Sequence, residues 1–305
     1  MTTTPAASQP TDRRGIPAAA LAMVGWAASG VIAKGISELG PLGVVFWRMW
    51  IYTAIVLVVL KVRGTPLRRD AIRVSLPGGI ALSADIMLFF VAVRLTTVAN
   101  ATVIGSCQPL LMLLLGGRLF GERARRVDWG LAAVALAGVS IVMYGSSGVP
   151  AWNLAGDLLS LLTLCAWTLY FIFSKLTRAR VEAAQYTGAT ALISAVVATP
   201  FALATGQAFV LPSPSAWFWL LMLSIGPGFT SHMLMNWALG HVPAWLASTL
   251  TLAIPVTGTL MAWAFLGEGV AALQFVGMAV VLGALGAIVL GHNASQPRSD
   301  GDTPT

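Results

Sequence analysis

The stretch GSCQPLLMLLLGGRLFGE, residues 105–122, and its counterpart TLAIPVTGTLMAWAFLGE, residues 251–268, decide how this chain is read. Each is an apolar run interrupted by one proline, Pro109 or Pro255. Each closes on Gly-Glu, Gly121-Glu122 or Gly267-Glu268. They sit inside longer copies, 92–145 and 238–291, offset by 146 positions without a gap. Further matches fall at Ala101/Ala247, Leu114/Leu260, Val134/Val280 and Gly145/Gly291. Identity elsewhere is low, and a biased composition yields chance matches freely. The informative matches are positional: a proline at mid-helix and Gly-Glu at a hairpin. That is a repeated supersecondary unit.

The surrounding chain says what solvent this unit lives in. Of 305 residues, 57% are hydrophobic and only 10% charged, against about 25% charged in soluble domains. Apolar runs of the length that crosses ~30 Å of hydrocarbon follow one another closely. Ten spans are expected, at about 16–36, 43–61, 72–94, 97–119, 128–145, 154–175, 184–206, 215–239, 243–266 and 270–290. The tails, 1–14 and 292–305, are rich in Thr, Ser, Pro and Asp and read as disordered. Arg13 and Arg14 before a long first span argue against a cleaved signal peptide.

The net charge of +7 is distributed as an orientation signal. Basic residues cluster before span 1 (Arg13, Arg14) and between spans 2 and 3 (Lys61, Arg63, Arg68, Arg69, Arg73). They recur between spans 4 and 5 (Arg118, Arg123, Arg125, Arg126) and between spans 6 and 7 (Lys175, Arg178, Arg180). Loops 5–6, 7–8 and 9–10 carry no Lys or Arg. This positive-inside pattern places both termini in the cytoplasm of a cell-membrane protein and requires an even number of spans. It also accounts for the basic excess without a nucleic-acid partner.

Extended backwards, the repeat pairs Gly15, Trp26 and Lys34 of span 1 with Gly156, Trp167 and Lys175 of span 6. Spans 1–5 (15–147) therefore repeat as spans 6–10 (153–291). Five is odd, so the second half enters the membrane in the opposite sense. The expected fold is an all-α integral membrane protein of ten helices in two inverted five-helix repeats. Such halves can exchange conformations, which is the basis of alternating access around a midplane site.

The paired Pro-to-Gly-Glu hairpins, the Trp-and-Lys first span of each half and the ten spans resemble the EamA family of the drug/metabolite transporter superfamily. The resemblance covers about residues 16 to 290. It implies spans 4, 5, 9 and 10 as scaffold, with spans 1–3 and 6–8 around a central cavity. It also implies small substrates, amino acids or amphipathic and cationic compounds, usually exported.

Candidate substrate contacts follow from polar and aromatic residues at membrane depth. Trp26 and Trp167 either pack between helices or face each other across the pseudo-axis. Lys34 and Lys175 read as snorkelling to the interface. Arg48, in Phe46-Trp47-Arg48-Met49-Trp50, needs an interface, a partner or water. It serves either a structural ion pair or a substrate carboxylate. Asp85 in span 3 must be protonated, paired or hydrated. It is the candidate for proton coupling or for a substrate ammonium, against a structural pair with Arg48. Phe89 lies one turn on, and Gln108 precedes Pro109. Tyr170 in span 6 joins the candidates, as do His232 and Asn236, one turn apart in span 8.

Hinges are expected at Pro109, at Pro255 and at Gly226-Pro227-Gly228, with span 8 the helix most prone to break. Each proline frees a carbonyl four residues back, at Gly105 or Thr251. Glu122 and Glu268 read as hairpin and interface residues rather than gates. Small residues on span 5 (Ala133, Ala137) and span 10 (Ala279, Gly283, Ala287) permit close contact, within the chain or in a homodimer.

No nucleotide-binding G-x-x-x-x-G-K-[ST] is present, and no zinc, serine or aspartyl hydrolase constellation. The dispersed histidines give no metal site, and no cofactor is implied. The expected function is a secondary transporter of a small metabolite, not an enzyme. The rival is a non-transporting membrane sensor or scaffold, which would be expected to add an accessory domain.

Overall fold

A computed structural model describes residues 14–147 and 153–295. The expected tails therefore lie outside the described residues, save for 14 and 292–295. Among the described residues, ten apolar helices are long enough to span a membrane. They are Gly15–Ala33, Pro41–Val62, Arg69–Leu95, Val98–Phe120, Arg126–Gly145, Leu154–Thr177, Ala183–Ala204, Pro214–Ala238, Ala244–Leu266 and Ala272–Ala294, hereafter spans 1 to 10. Span 10 runs past the boundary expected at 291. Residues 15 and 294 lie at one end of the bundle, the near end; loops 1–2, 3–4, 7–8 and 9–10 lie at the far end.

The Gly-Glu motif is a helix stop. Gly121 (φ 68°) and Gly267 (φ 66°) adopt the left-handed conformation that favours glycine. The following amide then turns back, Glu122 N to Gly116 O and Glu268 N to Ala262 O, both 3.3 Å. The same device at both sites ends the two hairpins identically, with side-chain caps starting other spans. Thr97 accepts from Asn100 N, Asn153 from Gly156 N and Ser213 from Ala216 N.

Helix pairing follows the inversion. Span 3 packs on span 6 as span 8 packs on span 1, and span 6 contacts span 4 as span 1 contacts span 9. Spans 2 and 7 pair with each other, as do spans 5 and 10. The result is two pseudo-equivalent lobes, spans 3, 4 and 6 against spans 8, 9 and 1, bridged by the self-paired helices. Each lobe takes its first helix from the other half, so the halves are interlocked rather than side by side.

Spans 5 and 10 meet backbone to backbone through Gly138 and Gly277. A Cβ on Gly277 would lie 2.8 Å from Gly138 O and from Val142 N. Of the small residues noted in the sequence, Ala133, Ala137, Ala279, Gly283 and Ala287 take no part in this contact within the chain and lie on exposed faces. Because backbone cannot yield as a side chain does, Gly277→Val is expected to cost about 2 kcal/mol or more. Thermal unfolding in detergent micelles should show a lowered midpoint, whereas Gly283→Val, with open space around it, should leave the midpoint unchanged.

The Gly-Pro-Gly acts differently from expectation. Span 8 does not break. Its helices Pro214–Leu223 and Ser231–Ala238 are joined by a π-helical stretch, Ser224–Thr230. The wider turn absorbs Pro227, which has no N–H to give. Spans 4 and 9 are the interrupted helices. Span 4 divides into Val98–Gly105 and Gln108–Phe120, and span 9 into Ala244–Leu250 and Ala253–Leu266. At span 9 the carbonyl freed by Pro255 is recovered locally, Ile254 N donating to Thr251 O at 2.9 Å.

Candidate functional site

A cavity of about 270 Å³ lies between the two lobes. One wall comes from span 3 (Asp85, Phe89, Phe90), span 4 (Thr102, Gly105, Ser106) and span 6 (Thr163, Trp167). The other comes from span 1 (Trp26, Ser29), span 2 (Arg48), span 8 (His232) and span 9 (Thr251, Pro255). The assignment of spans 4 and 9 to scaffold is therefore corrected. Their breaks carry Gly105 and Thr251 to the wall, which a straight apolar helix would not do. Ser29, Phe90 and Thr163 were not singled out from the sequence; their only signal there is polarity or aromaticity within a span.

Most lining residues belong to the far half of their helices. Arg48 is seven residues into span 2, Thr102 four into span 4, and Phe89 six before the end of span 3. Towards the near end the lobes close on each other in successive contacts. Trp26 and Trp167 meet edge to face at 5.0 Å. The Tyr170 hydroxyl lies 3.1 Å from His232 Nδ1 and donates to Asn236 Oδ1 at 3.0 Å. Ser174 donates to the same oxygen at 2.8 Å, and Asn236 Nδ2 donates to Thr187. Ser248 Oγ donates to Gln108 Oε1 at 2.6 Å, joining the two interrupted helices.

The last contact layer is charged. Lys175 Nζ lies 3.2 Å from Glu122 Oε1 and donates to Val242 O at 2.7 Å. Glu122 Oε2 accepts from Ala244 N at 2.7 Å, at the start of span 9. The side chains of Lys175 and Glu122 are only 21% and 12% exposed. Burial pushes the Glu122 carboxyl up, and Lys175 and the backbone N–H groups counter this in part. Two readings change here. Lys175 does not snorkel to the interface but pairs within the bundle, and Glu122 does more than end a hairpin, since it ties one lobe to the other. At the far end the counterparts of Glu122 and Ala244 differ in exposure. Glu268 is exposed, and Val98, equivalent to the buried Ala244, is 61% exposed.

The sequence-selected residues thus sort by depth. Trp26, Arg48, Asp85, Phe89, Trp167 and His232 line the cavity. Tyr170, Gln108 and Asn236 lie behind it, each fully buried in the seam between the lobes. Of the hinge residues, Pro255 reaches the wall, Pro109 starts the second half of span 4, and Gly226-Pro227-Gly228 form the π stretch that ends two residues before His232. Arg48 is 6% exposed, and its Nε has no hydrogen-bond partner. Arg48 and Asp85 share the cavity but form no ion pair with each other. The structural pair weighed from the sequence is not made. The cavity instead holds a guanidinium, a carboxyl and an imidazole inside a wall of indole and phenyl rings. Among the described residues, no three His, Cys, Asp or Glu side chains gather as a metal ion would require.

Comparison with known proteins places this geometry. The fold matches a solved crystal structure with a TM-score of 0.82 at 20% identity, covering 92% of this chain and 98% of that one. The chain is 28% identical to the Bacillus subtilis (strain 168) uncharacterized transporter YwfM over 67% of its own length and 68% of that protein's. It is 28% identical to the Ancylobacter novellus aromatic amino acid exporter YddG, over 57% of this chain and 60% of that one. The model of the EamA-like transporter family matches residues 13–144 and 154–290, one match for each half. The chain, a multi-pass membrane protein built of two such repeats, belongs to the EamA-like transporter family.

Proposed function

We propose that this transporter is a secondary carrier that exports a small zwitterionic metabolite, an amino acid with an apolar or aromatic side chain, by alternating access. The observation that carries the reading is the unpaired Arg48 and Asp85 in one inter-lobe cavity. An isolated charge at membrane depth is costly and is relieved by a partner or by water. Two opposite charges held apart in one cavity suit a solute that brings both complements, a carboxylate for Arg48 and an ammonium for Asp85. The indoles of Trp26 and Trp167 and the ring of Phe89 offer an apolar seat for a side chain and a face for a cation. The aromatic amino acid exporter to which the chain is similar makes the same choice of substrate class and direction attractive.

In this reading the structure is open towards the far end and closed at the near end by the Glu122–Lys175–Ala244 contacts. The basic loops assign the near end, with both termini, to the cytoplasm. The inverted repeat supplies the opposite state. Its lock would be built at the far end from the counterparts of the same residues: Glu268, Lys34 and the start of span 4 at Val98. Asp85 is the residue offered for proton coupling.

Counterflow of radiolabelled amino acids in proteoliposomes tests the function. Liposomes preloaded with unlabelled tryptophan, phenylalanine or leucine should accumulate the labelled form transiently. Absence of exchange with every amino acid would refute the reading. Asp85→Asn should weaken exchange, because the ammonium loses its charge partner, and the transport that remains should no longer be driven uphill by a pH gradient. An unchanged response to the pH gradient would remove Asp85 from coupling.

A further inference from the structure

The buried groups behind the cavity fix something the cavity residues alone do not. Tyr170 has one hydroxyl hydrogen, and two neighbours compete for it: His232 Nδ1 at 3.1 Å and Asn236 Oδ1 at 3.0 Å. The amide oxygen can only accept, whereas an imidazole nitrogen can donate or accept according to its tautomer. The arrangement is satisfied when Tyr170 donates to Asn236 and its oxygen accepts from His232 Nδ1–H. The rest of the Asn236 amide is also satisfied in this orientation. Its oxygen also accepts from Ser174, and its Nδ2 donates to Thr187 Oγ1 at 3.0 Å. All these groups are buried, so water does not compete with them.

The consequence lies on the other side of the ring. A neutral imidazole with its proton on Nδ1 has a bare lone pair on Nε2. Nε2 makes no hydrogen bond within the protein, yet it is not among the fully buried polar atoms left without a partner. His232 lines the cavity, so this nitrogen faces into it. The ring cannot easily turn the other nitrogen inward. Trp26 packs against it edge to face at 5.1 Å, and Tyr52 stacks on it at 5.9 Å.

We infer that Tyr170 and Asn236 act as positioning residues that hold His232 as the Nδ1–H tautomer, so that its Nε2 acceptor selects solutes presenting an N–H donor to the cavity. The inference rests on the carrier reading above and narrows its substrate. Charge alone would admit a betaine, whose quaternary nitrogen satisfies Asp85. An acceptor in the same cavity as the carboxyl favours a primary or secondary ammonium, which has hydrogens to give. A hydrogen bond to a charged group is worth enough to make that preference about tenfold.

Two measurements separate this inference from the reading beneath it. The first needs no transport. In protein labelled with 15N-histidine, the His232 ring, assigned by its loss in His232→Gln, should show a protonated Nδ1 and an unprotonated Nε2. In Asn236→Leu the Tyr170 hydrogen is released to His232 Nδ1, and the ring proton should move to Nε2. Asn236→Asp, which still accepts from Tyr170, should keep the original tautomer. A wild-type spectrum with the proton on Nε2 overturns the inference, whatever the protein carries.

The second measurement is calorimetric binding of L-tryptophan and of its Nα-trimethyl betaine to the intact protein in detergent. The wild type should bind tryptophan about tenfold more tightly. In Asn236→Leu the ratio should fall towards one. The added bulk of the betaine is the same for both proteins, so the change in ratio reads the acceptor. An unchanged ratio overturns the selectivity. Binding of neither compound, with the expected spectrum, contradicts the amino-acid reading while supporting the tautomer assignment.

Discussion

Arg48→Gln is expected to weaken binding of an amino-acid substrate about a hundredfold without destabilising the protein. The two halves of that expectation have separate grounds. Arg48 faces the cavity and forms no ion pair within the protein. A solute carboxylate would therefore be its charge partner, and truncating one side of a buried, hydrogen-bonded charge pair typically costs about 2–5 kcal/mol. The fold, by contrast, gains nothing from an unpaired guanidinium at membrane depth, where arginine costs about 2.5–3.5 kcal/mol on insertion scales. Glutamine keeps polar hydrogens for the cavity and removes the charge. The thermal midpoint without substrate should be unchanged or raised, and the midpoint shift produced by substrate should vanish. A lowered midpoint with intact binding would instead make Arg48 a structural residue.

Glu122→Gln should open the near end. Lys175 loses its carboxylate in a setting where both side chains are mostly buried. Breaking a buried pair in this way costs about 3–5 kcal/mol, because the remaining charge is left uncompensated. That cost falls on the closed near end and not on a state in which the end has opened and Lys175 is hydrated. The population of the open state should therefore rise by about a hundredfold or more. The check is a single cysteine at Ala244, in a background lacking Cys107 and Cys165, probed with a membrane-impermeant maleimide from the near side. Labelling should be much faster in Glu122→Gln than in the parent. Lys175→Gln, which leaves the carboxylate unpaired instead, should accelerate it too. Exchanging the charges, with Glu122→Lys and Lys175→Glu together, should not restore protection, because lysine cannot accept from Ala244 N and glutamate cannot donate to Val242 O. Equal labelling rates throughout would reduce the pair to a packing contact.

The sequence carries the architecture far better than the site's depth. Spans are legible because lipid demands runs of apolar residues, and the inversion follows from an odd repeat unit. Trp26 and Trp167 could be matched because the repeat places them at equivalent positions, and they do meet. The near-end lock could not be read this way. Lys175 has Lys34 as its repeat counterpart and Glu122 has Glu268, but nothing local says that Glu122 reaches Lys175, 53 positions away. Tyr170, Gln108 and Asn236 have the residue types of a binding site, yet they lie in the seam behind it. Polarity at membrane depth signals that a group needs a partner; it does not say whether that partner is a solute or another helix. The reading of span 8 as the helix most prone to break went astray for a related reason. Gly-Pro-Gly in span 8 is accommodated by a wider helical turn, whereas the prolines of spans 4 and 9 follow true interruptions. Only the neighbouring helices decide which outcome is cheaper.

The central claim is that the two lobes exchange closure between the near and far ends around one cavity. Double electron–electron resonance on two spin-label pairs tests it directly. Arg123 with Arg14 reports the near end, and Gly269 with Ala155 reports the far end; each pair joins the two lobes, and all four positions are exposed. On adding saturating substrate, the near-end distance distribution should gain longer separations while the far-end distribution gains shorter ones. Distributions that stay fixed, or that lengthen or shorten together, would contradict alternating access.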